Sequence, residues 1–168
     1  MRSSLKIVVL GLVVGLVAGG AMAQECTSSP LQVALIAGQN FYAGTVTVAL
    51  SGAQVCVTYE TVGGWEITAT HLAVATSLEG IPQTKGGNPQ PGQFPYSATH
   101  TPPVTTFTYC VPNPGDGSQP LYVATHASVQ QVGSSGAIVQ RQTAWSGPYG
   151  FPGKNWATYL VFFPCQID

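Results

Sequence analysis

The sequence predicts an all-β domain, with a two-sheet antiparallel β-sandwich of about seven to eight strands as the first architecture and a closed β-barrel as the alternative. Short runs rich in valine, threonine and tyrosine alternate apolar with polar residues, which is the period of a strand with one buried face. The chain has 20 glycines and 13 prolines, and many of them stand between these runs, where they mark turns. No stretch beyond residue 23 repeats its apolar residues with the period of a helix.

The first half of the chain supplies four predicted strands. Leu31–Ile36 is a short apolar run that ends before Gly38. The alternation from Val46 to Tyr59, broken at 51–54, predicts a β-hairpin. Trp65–Thr76, with the sequence WEITATHLAVAT, then predicts a long central strand. Its second half carries apolar residues on both faces, which indicates either that both faces are covered or that a β-bulge shifts the phase.

The segment 77–103 is predicted to be a long loop, because its six prolines and four glycines are incompatible with a regular strand or helix. A loop of this length in a compact domain either folds over the surface with its own packing or carries function. Strands are predicted to resume at Val104–Val111 and Leu121–Val132. The runs Ile138–Trp145 and Asn155–Phe163 complete the predicted domain.

Residues 1–23 are predicted to be a cleaved secretory signal peptide. Two basic residues precede the apolar run Ile7–Val17, and Ala21-Met22-Ala23 fits the small-residue cleavage pattern. The apolar run is shorter than the roughly 20 residues that span a bilayer, which disfavours the alternative of a membrane anchor. The mature chain, 24–168, is then predicted to be a single secreted or periplasmic domain, extracellular and without a membrane span after signal cleavage.

Charge excludes two classes of partner for the mature chain. Removal of the signal leaves three cations, Lys85, Arg141 and Lys154, against six acidic residues, which gives a formal charge of −3. Nucleic acids and anionic membranes are bound through clustered lysine and arginine, so neither is expected as a partner. Only 7% of the residues are charged, so the surface is predicted to consist largely of threonine, serine, glutamine and glycine.

Four cysteines, Cys26, Cys56, Cys110 and Cys165, remain after removal of the signal. An even number in an exported chain predicts two disulfide bonds, with three connectivities open. No two of the cysteines lie within four residues of each other, unlike the ligands of a zinc site. By strand parity Cys56 and Cys110 both point away from the apolar faces, while Cys26 and Cys165 stand at the chain ends. This favours pairing within each set.

Several phrases of the sequence together resemble a group of known domains. These phrases are Thr70–Val74, Gly87–Tyr96, Leu121–Val123 leading to His126, Thr143–Trp145 and Asn155–Tyr159. The chain resembles a family of largely uncharacterised, secreted, mainly bacterial domains in which a THLYVG-like strand precedes a GNPxPGQFP-like loop and an NWATYF-like motif ends the domain. That family often has an acidic residue before the TAW triplet, where this chain has Arg141 and Gln142. The resemblance implies export and an all-β fold, and it implies no reaction.

Histidine carries the main candidate chemistry. His71, His100 and His126 each follow Ala-Thr, so the three histidines of the chain share one tripeptide. Three imidazoles with an open coordination position suit a zinc, copper or iron ion, and these residues are therefore the candidate metal ligands. In the alternative interpretation each ring is hydrogen-bonded to a carbonyl or a threonine hydroxyl. The sequence has no nucleophile elbow, phosphate loop or dinucleotide fingerprint, and no catalytic residue is nominated.

Aromatic residues carry the candidate binding site. The glycine-rich segment WSGPYGF places Trp145, Tyr149 and Phe151 in a predicted loop. Exposed rings in such a loop stack on sugars or fill interface pockets. In the alternative interpretation Trp145 and Trp156 are buried in the core.

These observations favour a secreted, non-catalytic binding or structural domain at the cell surface, in the periplasm or in an extracellular matrix, acting without a cofactor. Its partner would be an extracellular ligand such as a glycan or a matrix protein. The alternative is a three-histidine metal-binding protein or metal-dependent enzyme. A self-assembling matrix subunit, which a β-rich surface of low charge permits, is a third hypothesis.

Overall fold

The computed structural model describes residues 29–164, so the predicted signal peptide 1–23 and the predicted Cys26–Cys165 bridge lie outside the described residues. Between residues 29 and 164 the structure contains no helix with the length and hydropathy that crossing a bilayer requires. Its strands, in chain order, are β1 (Leu31–Ala37), β2 (Phe41–Ser51), β3 (Gln54–Thr61), β4 (Trp65–Ala75), β5 (Tyr96–Val104), β6 (Thr106–Pro112), β7 (Leu121–Val132), β8 (Ile138–Ser146), β9 (Tyr149–Gly150) and β10 (Thr158–Phe162).

The strands form one antiparallel sheet that curls into a nearly closed barrel. The order across the sheet is β5-β4-β7-β8-β1-β2-β3-β6, and β10 pairs with β7 beyond the end of β8. The end strands β5 and β6 face each other across a seam, where the rings of His100 and Phe107 lie 4.5 Å apart. The all-β prediction is confirmed. Of its two architectures the barrel-like alternative forms, because the six strands between the seam strands pair on both edges and leave no second sheet.

The predicted loop 77–103 contains a strand that the sequence did not indicate. Strand β5 includes Pro102 and Pro103, and it pairs with β4 on one edge. Proline is tolerated there because the ladder between β4 and β5 passes from Thr99 directly to Val104, which leaves both prolines outside its regular part. The remaining loop, 76–95, contains two short 3-10 turns, Leu78–Gly80 and Pro91–Gln93.

Alternating side chains of the barrel strands enclose a hydrophobic core, here called the interior core. The residues between them on the same strands point outward, as strand alternation requires. Thr58 and Thr108, for example, share a 2.9 Å hydrogen bond on the outer surface of β3 and β6. The buried members of the interior core are Leu35, Ala37, Ala43, Val46, Val48, Val55, Val57, Tyr59, Trp65, Ile67, Leu72, Val111, Leu121, Val123, Ala127, Val129, Ala144, Leu160 and Phe162.

A β-bulge at Thr68 changes the face that β4 turns to the interior core. The register with β7 shifts between Ile67 and Ala69, which leaves Thr68 as an extra residue in the ladder. Ile67 points inward before the bulge and Leu72 points inward after it, so His71 lies on the outer face. The sequence predicted either a β-bulge in this strand or burial of both of its faces. Strand β4 has the bulge, and both of its faces are buried in its second half.

A second hydrophobic cluster, here called the outer core, lies on the outer face of β4, β7 and β8. The loop 76–95 and the segment 147–157 fold over this face and supply part of the cluster. Its buried members are Ala73, Ile81, Phe94, Ala124, Trp145, Phe151 and Ala157. The second half of β4 is therefore covered on both faces, and the long loop packs as an integral part of the domain.

The two covering segments are joined through Asn88. Its side-chain oxygen accepts a hydrogen bond from the backbone N–H of Asn155 at 3.1 Å. The N–H of Gly153 donates to the carbonyl of Gly87 at 3.0 Å. A Cβ at position 153 would collide with the Asn88 side chain, so the close approach requires glycine.

The described residues contain the disulfide bond Cys56–Cys110, as the sequence predicted. The two cysteines are direct partners in the ladder between β3 and β6. Because β6 pairs with β3 alone at this edge of the sheet, the bond fastens the seam strand to the barrel.

Replacement of both Cys56 and Cys110 with alanine should destabilise the domain by about 4 kcal/mol, because the bond restricts the unfolded chain across a separation of 54 residues. The measurement is urea unfolding of the predicted mature chain, residues 24–168. The matched control is Thr58→Ala with Thr108→Ala on the same two strands, which should cost less than about 1 kcal/mol. Equal losses in the two double variants would contradict this expectation.

Candidate functional site

One transverse row of outward side chains crosses the barrel and contains three of the six candidate metal-ligand and binding residues. Residues that face each other in adjacent strands point to the same side of a sheet. The row consists of Ser97, His71, His126, Trp145 and Ile36, on β5, β4, β7, β8 and β1. It therefore runs from a polar end at β5, through two histidines, to an apolar end at β1.

The two histidines of this row contact each other through their ring nitrogens. The Nδ1 atoms of His71 and His126 lie 3.2 Å apart, and the ring planes are inclined by 52°. His126 is 9% exposed and packs edge-on against Trp145, with 4.9 Å between the ring centroids. His71 is half-buried and reaches solvent. In a neutral pair one Nδ1–H donates to the other Nδ1 lone pair, so the two rings carry different tautomers.

Both rings of the pair are neutral at pH 7. Burial lowers the pKa of His126 to about 4, and the neighbouring His71 lowers that pKa further by charge repulsion. Burial also lowers the pKa of His71. Their ring nitrogens are consequently free of extra protons at neutral pH and can accept hydrogen bonds or bind a cation.

The His100 ring lies on the opposite face of the sheet from the His71–His126 pair. Its Nε2 is 3.2 Å from Oγ1 of Thr70, which is fully buried and points toward the interior of the barrel. His71, the next residue, points outward, because successive residues of a strand face opposite sides. The structure thus brings His71 and His126 together and keeps His100 apart from them. Within residues 29–164 no group of three histidine, cysteine, aspartate or glutamate residues lies close enough to hold a metal ion.

His100 belongs to the seam between β5 and β6. Oγ1 of Thr70 lies 2.8 Å from the hydroxyl of Tyr109, so Thr70 joins the histidine and the tyrosine in one hydrogen-bond network. Burial lowers the pKa of His100, and burial raises the pKa of Tyr109. For His100 the structure has the hydrogen bond to a threonine hydroxyl that the alternative interpretation of the sequence expected.

The apolar end of the row opens into a cleft, here called the tryptophan groove. The groove has a volume of about 300 Å³ and is lined by Ile36, Gln39, Trp145, Gly147, Trp156 and Thr158. Trp145, which is 6% exposed, and the half-buried Trp156 are the two aromatic residues of this lining. Gln39 and Thr158 supply an amide and a hydroxyl. Predominantly apolar walls with a few polar groups are typical of sites for small ligands.

A second hollow of about 310 Å³ adjoins the tryptophan groove and extends it along β1. It is lined by Val33, Ala34, Ile36, Gly147 and Pro148, and it shares Ile36 and Gly147 with the groove. The hollow exists because β8 pairs with β1 only over the last three residues of β1 and then turns away. Neither lining includes a charged residue.

Gln39 has a strained backbone beside the groove. The turn between β1 and β2 is closed by the N–H of Asn40, which donates to the carbonyl of Ala37 at 3.2 Å. Gly38 and Gln39 have φ angles of 53° and 72°, which is the pattern of a type I′ turn. Among residues 29–164, Gln39 is the single residue other than glycine with a positive φ. This conformation costs roughly 1–2 kcal/mol, and such strain tends to occur at ligand sites.

The three aromatic residues that the sequence nominated for binding occupy different environments. Trp145 and Phe151 are each 6% exposed and belong to the outer core, so most of their surface is not available to a ligand. Tyr149 is 51% exposed, and its ring packs against Tyr159 at 5.6 Å between centroids. Of the three, only Trp145 lines the tryptophan groove.

Sequence reasoning missed most of the residues that complete the groove. Ile36 and Gln39 stand more than a hundred residues before Trp156 and Thr158, and no local pattern connects them. The alternative interpretation of the sequence places Trp156 in the core, whereas the structure leaves it half-buried at the groove. One signal was present, since Trp145 and Trp156 flank the same glycine-rich segment and such a segment can bring its two ends together.

A larger hollow, of about 650 Å³, lies in the long loop. It is lined by residues 78–87 and Pro152, and this lining includes Glu79 and Lys85 but no aromatic ring. Its walls come mainly from one loop, whereas the tryptophan groove is built on β1, β8 and β10. We place the candidate binding site at the tryptophan groove because rigid strands, two indoles and a strained polar residue converge there.

The fold defines a class, a disulfide-bonded, antiparallel, barrel-like all-β domain. Comparison of the chain with protein-family models, curated protein sequences and solved structures finds no match. The resemblance to secreted bacterial domains therefore stays a prediction from its motifs, and the function is argued from the geometry of the site.

Acidification from pH 7 to pH 5 should cost about 2 kcal/mol of stability through His126. The pKa of this ring is about 4 in the folded chain, against about 6.5 when the chain is unfolded. Between these values the unfolded state binds more protons, so the contribution is present above pH 6.5 and is lost as the pH falls. Urea unfolding at both pH values, in the presence of a chelator, measures the loss.

The variant His126→Phe keeps an aromatic ring beside Trp145 and removes the titrating group. It should reduce the loss of stability between pH 7 and pH 5 by about 2 kcal/mol, whereas His100→Phe should retain most of that loss. The same pH dependence in His126→Phe and in the unmodified chain would show that another group is responsible.

Proposed function

We propose that this protein is an exported, non-catalytic binding domain that holds an uncharged glycan in the tryptophan groove. The observation that carries the proposal is that two tryptophans and two neutral polar residues, Gln39 and Thr158, line one open cleft. Few other small ligand classes match this combination of flat apolar and neutral polar surface.

The chemistry of a sugar ring complements these residues. One face of the ring consists of C–H groups and packs against an aromatic ring, while the hydroxyls around its edge donate and accept hydrogen bonds. The half-buried Trp156 offers most of the aromatic surface, and Trp145, which is 6% exposed, adds a small part of it. Gln39 and Thr158 offer both donors and acceptors. The adjoining hollow lengthens the cleft along β1, which favours a chain of sugar units over a single ring.

The absence of charge in the two linings favours a neutral glycan. An anionic polysaccharide is recognised through arginine or lysine, which pair with carboxylate or sulfate groups. The linings of the groove and of the adjoining hollow contain neither residue. The three cations of the predicted mature chain, Lys85, Arg141 and Lys154, stand outside both linings.

Export is supported by the chemistry of the chain. The Cys56–Cys110 disulfide is typical of an oxidising compartment. A surface of low charge that is rich in threonine and serine is common among secreted β proteins.

The groove is also partly preorganised, because Ile36, Trp145 and Thr158 belong to hydrogen-bonded strands. A Cβ at Gly147 would collide with the Tyr159 carbonyl, so the wall at this position requires glycine. A preorganised cleft binds without the cost of ordering a loop.

Trp156→Ala should weaken binding of a neutral oligosaccharide at least tenfold, because it removes one aromatic wall of the groove. The ligand is chosen by applying the mature chain to a glycan array, and its affinity is then measured by calorimetry. Tyr149→Ala is the matched control, since it removes an exposed aromatic ring outside the groove and should leave the affinity unchanged. The proposal is overturned if no neutral glycan binds, or if Trp156→Ala binds as tightly as the unmodified chain.

Gln39→Gly should raise the stability of the domain and lower its affinity for the oligosaccharide. Glycine adopts a positive φ without strain, so the free energy of unfolding of the variant should be about 1 kcal/mol higher than that of the unmodified chain. Its affinity for the same oligosaccharide should fall, because the amide is lost from the groove. Urea unfolding and calorimetry measure the two effects. An unchanged affinity would show that Gln39 does not contact the ligand.

A further inference from the structure

His71 and His126 meet with the spacing of two ligands on one metal ion. Their Nδ1 atoms lie 3.2 Å apart. Zinc–imidazole bonds are about 2.0–2.1 Å long, so an ion bound equally by both atoms would have an N–metal–N angle of about 100°. This angle is close to that of tetrahedral coordination, which zinc favours.

The surrounding structure holds both rings in this arrangement. The two histidines are direct partners in the ladder between β4 and β7, the pair of strands with the longest ladder in the described sheet. The Trp145 ring packs edge-on against His126 on its other side. His71 is half-buried, so an ion can reach the pair from solvent. The site is therefore both rigid and accessible.

We propose that His71 and His126 bind one divalent ion of the zinc class, with water or an exogenous ligand in the remaining positions. Within residues 29–164 no third histidine, cysteine or carboxylate joins the pair, so those positions stay open. On the solvent side of the pair, the ladder partner of His71 is Ser97, an exposed residue of β5. The proposed site uses two of the three histidines that the sequence nominated.

Binding requires a change of tautomer in one ring. In the metal-free pair one Nδ1 carries a proton and donates it to the other ring in a hydrogen bond. An ion uses the lone pairs of both Nδ1 atoms, so this proton moves to Nε2 of the same ring. No net proton leaves a neutral pair, and both imidazoles stay neutral ligands.

The chemistry of the pair selects the class of ion. Imidazole nitrogens suit zinc, copper and nickel, whereas calcium and magnesium require oxygen ligands. On β4, β7 and β8 the outward charged side chains are Glu66 and Arg141, which are the two ladder partners of Gln130. That row lies four residues along β7 from His126, roughly 13 Å away. Arg141, the one cation on these three strands, is therefore too far from the pair to repel a bound ion.

The test uses the mature chain without an affinity tag, treated with EDTA and then desalted. Zn²⁺ is titrated by calorimetry, and Co²⁺ is titrated by visible absorption, which detects tetrahedral nitrogen coordination. We expect one ion per chain. His71→Ala and His126→Ala should each weaken binding at least tenfold, since loss of a ligand should cost no less than loss of a group that orients one. The matched control, His100→Ala, should bind as the unmodified chain does.

Nitrogen-15 NMR of the histidine rings gives a readout that a hydrogen-bonded pair without metal would not produce. Zn²⁺ should shift the Nδ1 signals of His71 and His126 and leave those of His100 in place. If His126→Ala does not fold, the half-buried His71→Ala decides the question. The proposal is overturned if Zn²⁺ and Co²⁺ show no saturable binding, or if His71→Ala retains the affinity of the unmodified chain. Glycan binding by the EDTA-treated protein is measured separately and does not depend on either result.

Discussion

The β-bulge at Thr68 is the constraint on which both the packing and the histidine pair depend. Strand β4 buries Ile67 in one half and Leu72 in the other, and these positions have opposite parity. Strict alternation would bury His71 with Ile67 and expose Leu72. The extra residue reverses the phase between them, and the Thr68 hydroxyl satisfies a carbonyl of β7 through a 3.0 Å hydrogen bond. One inserted residue thus completes the interior core and places His71 beside His126.

The outer core gives the domain a second hydrophobic layer, and the candidate sites lie at its edges. Trp145 belongs to this layer and also contacts both sites, since it packs against His126 and lines the tryptophan groove. The distance from His126 to Ile36 is two strand spacings, roughly 10 Å. The loop 76–95 cannot be treated as a flexible insertion, because its Ile81 and Phe94 are buried in this layer.

Hydrogen bonds between neutral groups connect the strands of this domain, as ion pairs do in more highly charged proteins. The hydroxyls of Thr125 and Ser146 bond to each other within the barrel, and the Tyr59 hydroxyl donates to the His71 carbonyl at 2.9 Å. Among the described residues no buried side-chain nitrogen or oxygen lacks a partner. Such contacts are insensitive to ionic strength. The histidine pair stands apart because its protonation would place charge against buried aromatic surface.

The sequence by itself determined the features that depend on neighbouring residues. Alternation located most of the strands, and strand parity favoured Cys56–Cys110 among the three connectivities, because a strand shows its two faces in a local pattern. Only the tertiary structure decided how the sheet closes, since curling depends on twist and pairing between distant strands. It also decided that Pro102 and Pro103 lie in an edge strand, where the backbone is free of regular pairing. The candidate sites were beyond the sequence for the same reason. Strand register and the face of the sheet that each residue occupies decide whether His100 joins the other histidines. They also decide whether Gln39 lies beside Trp156.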